Sequence, residues 1–277
     1  MEIETLSKEA HTFWDKSINQ DVWEFVKSNA TTSVMSRIES CYRHFTKALV
    51  IKDIDPEMSA IRLIAAEEEL TVAVFDIIKR NEDSFVECKH ITKKFRNHYV
   101  KQLFSPTVNN IALIIYSFLK NGMRIDASED APSVDVSFEP IIAEDKVLLR
   151  LHIGDSHIDN SPFNIFLSKG DEVENVVEFL YEDFKELIRS HGYSSVKEFA
   201  THRVDFRNKI LYAEDAMIFN VGEQVENVLS SVTHTLNQVL WVIALLLSND
   251  DSPAKKWGIS GQFLRLYEHV LKEAKVI

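Results

Sequence analysis

The chain has 277 residues, of which 45% are hydrophobic and 27% charged, a composition typical of folded globular proteins and unlike that of disordered ones. Asp and Glu outnumber Lys and Arg by 43 to 31, giving a net charge of −12. This balance argues against broad, non-specific attraction to nucleic acid or to an anionic membrane, although it leaves room for a local basic groove.

The sequence predicts a cytoplasmic protein. The first residues, Met1-Glu2-Ile3-Glu4, lack the basic and then apolar pattern of a secretory signal. The longest apolar run, residues 239–247, has about half of the 20 or so residues that a bilayer-spanning helix needs, so we expect a buried core helix there. Two cysteines, Cys41 and Cys88, suggest no disulfide framework and are expected to be reduced core thiols.

Helical periodicity runs through the first 120 or so residues. Its clearest start is Asp55-Pro56, where Asp55 can cap free backbone N–H groups and Pro56 suits the first helical position, which predicts a helix over residues 56–80. We expect a second helix over residues 87–104. Because Pro106 should interrupt it, a third is predicted over residues 108–121.

The periodicity then changes to strict alternation. Three stretches alternate, one over residues 134–139, one over 147–153 and one at Phe163, Ile165 and Leu167, and they predict a β-meander at residues 133–169. Helical spacing resumes over residues 171–190, 194–214, 221–247 and 261–275. The predicted fold is therefore mainly α: a helical bundle with a short three-stranded antiparallel β-meander inserted near the middle. We expect a single compact unit in which residues 1–122 and 171–277 form the two helical halves.

Two carboxylates in the predicted helix 56–80 face apolar rows. Glu68 lies in the stripe that contains Ile64 and Val72, and Glu67 lies in the row of Leu63 and Leu70. A buried carboxylate needs a partner that offsets its desolvation, so both residues are candidates for a site.

A second group of candidates surrounds His98. Lys94, His98 and Lys101 would share one helical face, and two neighbouring cations would favour the neutral imidazole, which could accept a proton. The alternative interpretation is a solvated basic face, which is what helix surfaces normally carry.

A third group follows Arg207, which falls in a row with Ala200, Val204 and Leu211 and should be partly buried and paired with Glu67 or Glu68. Its guanidinium could hold a carboxylate as a structural clamp or a phosphate as a ligand, and structural pairing is the commoner use. Asn208 and Tyr212, four residues apart, share the adjacent row.

We expect neither a metal nor a cofactor. The turn after the second predicted strand has metal-ligand residue types, but they would lie in a flexible loop: His152, Asp155, His157, Asp159 and Asn160. The single E-x-x-H spacing, Glu87 to His90, lacks the second copy that di-iron bundles have. Phosphate-binding loops, dinucleotide motifs and serine-hydrolase motifs do not occur in the sequence.

Three segments carry a family resemblance. The A-x-E-E run at Ala65, the F-x-x-H-x-x-K segment ending at Lys101 and the L-Y-A-E-D segment that includes Tyr212 resemble, in this order, abortive-infection proteins of the AbiV type in the HEPN superfamily. The resemblance implies a helical bundle, often dimeric, that acts in antiphage defence and can cleave RNA without a metal. The family signature places a His four to six residues after an Arg, whereas Tyr212 stands five after Arg207.

Two hypotheses follow. In the first, the protein is a HEPN-like defence or stress protein with a metal-independent ribonuclease site, in which Arg207, His98 and Tyr212 act on RNA and the supporting residues are Glu67, Glu68, Lys101 and Asn208. In the second, the chain is a non-enzymatic interaction or scaffold module that binds a protein partner through its helices or the edge of its meander. Neither hypothesis involves a membrane, and a homodimer is compatible with both.

Overall fold

The computed structural model describes residues 2–80, 89–120, 136–143, 145–161, 175–212, 221–248 and 259–277. The described part is mainly α-helical, with a small three-stranded antiparallel sheet between two sets of helices, which confirms the predicted fold class. The helices are α1 (Glu2–Ser17), α2 (Gln20–Asn29), α3 (Thr32–Ile51), α4 (Pro56–Arg80), α5 (Lys89–Thr92), α6 (His98–Lys120), α7 (Asn175–Ser190), α8 (Val196–Tyr212), α9 (Val221–Leu247) and α10 (Ile259–Glu273).

The long helix α4 is the centre of the bundle. It begins as predicted, because Asp55 Oδ1 accepts a hydrogen bond of 2.9 Å from the backbone N–H of Met58 and so satisfies one of the free donors of the first turn. The helix then packs against α3, α9, α6 and α8. With neighbours on so many sides, α4 has few exposed positions in its middle, and a charged side chain that points inward there is removed from water.

Helices that precede the sheet and helices that follow it share one hydrophobic core. Helix α4 packs against α9, and α6 packs against α10. The last contact is aromatic: Phe104 and Tyr267 are both fully buried, and their rings meet edge-to-face with centroids 5.3 Å apart, a geometry that aromatic pairs prefer.

Helix α9 contains the apolar run that the sequence predicts to be a core helix. Among the described helices it alone is long and apolar enough to cross a membrane by length and composition, over Val225–Leu247. It is nevertheless packed against α4, α2 and α6, and Val239, Leu240 and Ile243 are at most 1% exposed. Because its exposed positions include the polar residues Glu226 and His234, the helix is amphipathic in the way that core helices of globular proteins are.

The predicted boundary at Pro106 is wrong. Helix α6 runs from His98 to Lys120 with Pro106 inside it. Residues 98–120 therefore form one continuous helix where the sequence predicts a break between two helices. Proline removes one backbone hydrogen bond and costs about 3 kcal/mol in a helix interior. Here the cost is offset by burial on both sides, since Leu103 and Phe104 are fully buried and Val108 is nearly so. Before α6, residues 89–92 form the short helix α5 and residues 93–97 are not helical, so the helix predicted over residues 87–104 is interrupted at residues 93–97.

The sheet is formed by β1 (Val136–Ala143), β2 (Lys146–Ile153) and β3 (Ser156–Asn160), paired in that order. The first two strands are those predicted from alternation. The third is not: β3 lies where the sequence predicts a flexible loop, and the predicted strand at Phe163, Ile165 and Leu167 lies outside the described residues. Gly154, with φ +56°, begins the two-residue turn between β2 and β3, and this left-handed conformation favours glycine.

The sheet is attached to the bundle at one end. Val147 is buried, and its backbone N–H donates to Ser248 Oγ at 3.2 Å; β2 contacts α9, and β1 contacts α6 and α2. The face of the sheet opposite the Val147 side chain carries polar and charged side chains. The junction of α4, α6 and α8 belongs to the bundle.

Candidate functional site

Two adjacent carboxylates of α4 lie at the junction of α4, α6 and α8. Glu67 is 5% exposed and Glu68 is 7% exposed, which confirms the burial predicted from their helical rows. Successive residues of a helix point in different directions, so each carboxylate has its own partner. Glu68 contacts side chains of α6, and Glu67 contacts a side chain of α8.

The carboxylate of Glu68 receives hydrogen bonds from one turn of α6. Lys101 Nζ donates to Oε2 at 2.5 Å, Gln102 Nε2 donates to Oε1 at 3.1 Å, and His98 Nδ1 lies 2.9 Å from Oε1. These three residues occupy neighbouring positions at the start of α6, where the helical repeat brings them to one side. We call Glu68, His98, Lys101 and Gln102 the Glu68 cluster.

The electrostatics of the cluster favour an ionised Glu68. Burial by itself raises the pKa of this carboxyl, but the hydrogen bonds from Lys101 and His98 and the positive charge of Lys101 outweigh it, and the net effect lowers the pKa below its usual value. A buried carboxylate is stable only with such compensation. The hydrogen bond from Lys101 has the largest lowering effect, and the side chain of Lys101 is only 12% exposed.

The contact with Glu68 fixes the roles of the two ring nitrogens of His98. When Nδ1 carries the proton, it donates to the carboxylate, and Nε2 keeps its lone pair. The His98 side chain is 39% exposed, so the ring can be reached from solvent. A histidine oriented by a buried carboxylate, with its other nitrogen available, is suited to general-base catalysis.

The neighbours of His98 differ from those expected. Lys101 bonds Glu68, and Lys94 Nζ donates to the backbone oxygen of Val276 at 2.9 Å from outside α6. The prediction of a continuous helical face with His98 between two cations is therefore wrong, since the direct partner of the ring is a carboxylate. The alternative prediction of a solvated basic face is wrong for Lys101, whose side chain is only 12% exposed and pairs with Glu68.

Glu67 pairs with Arg203 of α8. Arg203 Nη2 donates to Glu67 Oε1 at 3.1 Å, and the guanidinium lies over the ring of Phe199, with its carbon 5.8 Å from the ring centroid. Arg203 Nε is buried and has no hydrogen-bond partner among the described residues. The arginine is 30% exposed at its side chain, so it reaches solvent while it is anchored from two sides.

Arg203 was not among the sequence candidates, although a signal for it was present. It follows Ala200 by three residues and Val196 by seven, and both are buried, so helical spacing places it on the inner side of α8. The sequence candidate Arg207 lies one turn later in α8, and Tyr212 ends that helix. The side chains of Arg207 and Tyr212 lie outside what the structure describes, whereas Asn208 is half-buried.

Within the described ranges, no group of three or more His, Cys, Asp or Glu side chains is arranged to hold a metal ion. In the hairpin, Asp159 is engaged by Arg150 through two hydrogen bonds of 2.7 and 2.8 Å. Glu87 and Cys88 lie outside the described residues. Cys41 is a buried free thiol, as expected, and burial raises its pKa well above the usual value.

Comparisons of the chain with protein-family models, with curated proteins and with solved structures give no match. The resemblance to AbiV-type proteins therefore stays a prediction, and the case for a site rests on geometry. That geometry offers one oriented imidazole and one anchored guanidinium, on two helices that touch each other and share α4 as their support.

Proposed function

We propose that this protein is a HEPN-like endoribonuclease of bacterial phage defence or stress response that works in the cytoplasm without a metal. The observation that carries the proposal is the 2.9 Å contact between His98 Nδ1 and the buried carboxylate of Glu68, which leaves Nε2 of a half-exposed ring as a proton acceptor. In this proposal His98 supplies the imidazole that the position five residues after Arg207 lacks, and the contact between α6 and α8 supports it.

The proposed reaction needs one base and one anion-binding group. His98 Nε2 takes the proton from a ribose 2′-hydroxyl, the 2′-oxygen attacks the adjacent phosphorus, and the bond from phosphorus to the 5′-oxygen breaks. The leaving oxygen takes its proton from water, and the imidazolium of His98 gives its proton to the hydroxide that forms, which restores the neutral base. The products are a 2′,3′-cyclic phosphate and a 5′-hydroxyl, so atoms and charge balance without a metal.

Arginine side chains of α8 are suited to the phosphate. Arg203 uses one described hydrogen bond for Glu67 and keeps further N–H donors, and a guanidinium fork matches the oxygens of a phosphodiester. Arg207, one turn later, is the second proposed ligand. Such a local group can bind an anion although the chain as a whole carries −12, because salt screens distant charges over roughly 8 Å at physiological ionic strength.

The second candidate function is a scaffold or interaction module that has no catalysis. The observation that favours it is the number of bonds at Glu68, whose carboxylate is contacted by His98, Lys101 and Gln102. A buried charge with this many donors also serves to fix the packing of two helices. In that case the cluster acts on stability alone.

Product chemistry distinguishes the two candidates. Purified protein is incubated with labelled tRNA and mRNA in EDTA, alongside the same RNAs carrying 2′-O-methyl groups. If the protein is a ribonuclease of this kind, we expect cleavage of the unmodified RNA into fragments with 2′,3′-cyclic phosphate ends, and no cleavage of the methylated RNA. Intact RNA in both samples, from folded protein, would reject the ribonuclease and favour the scaffold.

A further inference from the structure

The polar face of the sheet brings two histidines together. His152 on β2 and His157 on β3 are directly paired across the ladder, and their ring centroids lie 6.3 Å apart. The sequence predicts a flexible loop at His157 and, for that reason, no metal site. Since the segment is a strand, the backbone pairing of β2 and β3 places both histidines on the same face of the hairpin.

A carboxylate supports one of the two rings. Glu139 on β1 lies on the same face, and its Oε1 is 3.0 Å from His152 Nε2. When Nε2 carries the proton and donates to Glu139, Nδ1 of His152 keeps its lone pair. Histidines that bind metals commonly donate their other ring N–H to a carboxylate, which fixes the tautomer and makes the ring a better ligand.

We propose that His152 and His157 form a two-imidazole site for a late first-row divalent cation such as Ni²⁺ or Cu²⁺, with Glu139 as the carboxylate that orients His152. Two rings that share one ion at metal–nitrogen distances of about 2 Å have centroids about 5 Å apart. The observed 6.3 Å therefore requires a closure of roughly 1 Å. The His152 side chain is 38% exposed and His157 is exposed, so small side-chain rotations suffice.

The ligand set determines which ion is preferred. Nitrogen ligands suit Cu²⁺, Ni²⁺ and Zn²⁺, and affinity rises toward Cu²⁺ in the first-row series. With two protein ligands, water completes the coordination shell. Mg²⁺ and Ca²⁺ prefer oxygen ligands, so we expect neither to compete. Nearby Asp159 is paired with Arg150, and the proposed site does not use it as a ligand.

The test is isothermal titration of the intact protein with Ni²⁺ at about pH 7.5, where imidazole is largely neutral, together with electron paramagnetic resonance of the Cu²⁺ complex. Wild type should bind one ion at its tightest site, and the Cu²⁺ spectrum should show coupling to two nitrogens. His152→Ala and His157→Ala should each abolish that site. Glu139→Gln should weaken it by roughly tenfold or more, the usual effect of losing a supporting carboxylate.

The matched control is His191→Ala, which removes an exposed histidine at the end of α7 and should leave binding unchanged. Circular dichroism of each variant checks that the protein is folded. The proposal is overturned if folded His152→Ala and His157→Ala bind Ni²⁺ as tightly as wild type does, or if the Cu²⁺ spectrum shows no nitrogen coupling. Neither result bears on the ribonuclease proposal, because the sheet does not take part in it.

Discussion

Replacement of Glu68 by Gln tests the energetics of the Glu68 cluster. The substitution keeps the size of the side chain and an oxygen that can accept from Gln102, but it removes the charge opposite Lys101. The Lys101 side chain is 12% exposed and that of Glu68 is 10% exposed, so the ammonium would be left largely desolvated. Loss of one partner from a buried ion pair costs about 3–5 kcal/mol. Because Gln retains one hydrogen bond, we expect a destabilisation of about 3 kcal/mol.

Urea unfolding followed by circular dichroism measures this difference, and its pH dependence adds a second check. The folded state lowers the pKa of Glu68 below its ordinary 4.5, so in that range the unfolded state binds more protons than the folded one does. The stability contributed by the charge is therefore present above about pH 4.5 and is lost as the pH falls through the folded-state pKa. The gap between wild type and Glu68→Gln should shrink on acidification.

Glu69→Gln is the matched control. Glu69 is the next residue of α4 and pairs with Arg37 at 3.1 Å, but its side chain is 24% exposed and that of Arg37 is 42% exposed. A pair that solvent reaches contributes at most about 1 kcal/mol. Equal effects of Glu68→Gln and Glu69→Gln, or a gap that widens with acid, would refute the account of a buried charge-compensated cluster.

Three further stability predictions can be measured by the same unfolding assay. Arg203→Met should destabilise by about 2 kcal/mol because it leaves Glu67 without its partner, and Glu67→Gln in the same chain should recover part of the loss; full additivity would contradict the pairing. Asp55→Ala should cost about 1 kcal/mol through the lost helix cap, whereas Asp55→Asn should cost only a few tenths. Ser248→Ala should cost about 1–3 kcal/mol because the buried N–H of Val147 loses its acceptor; no change would show that the sheet is attached otherwise.

The elements that sequence reasoning predicted best are those whose signals are local. Helix α4 begins and ends where the cap at Asp55 and the apolar spacing place it, and α9 covers the predicted residues 221–247. Both helices are long, and their apolar residues repeat over many turns. The burial of Glu67 and Glu68 could be predicted for the same reason, because their neighbours in the helical rows are apolar.

The errors arose where distant contacts override local preference. Pro106 interrupts a helix in an isolated segment, but here buried neighbours on both sides hold α6 together. In β3, the residues are mostly polar and show no apolar alternation, and the strand exists because its backbone pairs with β2. Pairing with a neighbouring strand is a property of the sheet, so Ser156–Asn160 gave no signal in the sequence.

Local helical spacing also could not predict which side chains pair with Glu67 and Glu68. Helical spacing predicted that the two carboxylates need partners, but it could not choose between Arg203 and Arg207, which lie one turn apart on α8. Nor could it predict that Lys101 turns inward to Glu68. The choice depends on how α4, α6 and α8 are placed against one another, which is set by the whole core.

The central claim is that His98 acts as the base, and the most direct test is the rate of RNA cleavage in EDTA by wild type and by His98→Gln, with His191→Gln as the control for loss of a histidine elsewhere. The account predicts that wild type and His191→Gln cleave at equal rates and that folded His98→Gln is slower by about 100-fold or more, the usual contribution of a general base. Equal cleavage by His98→Gln and wild type would contradict it.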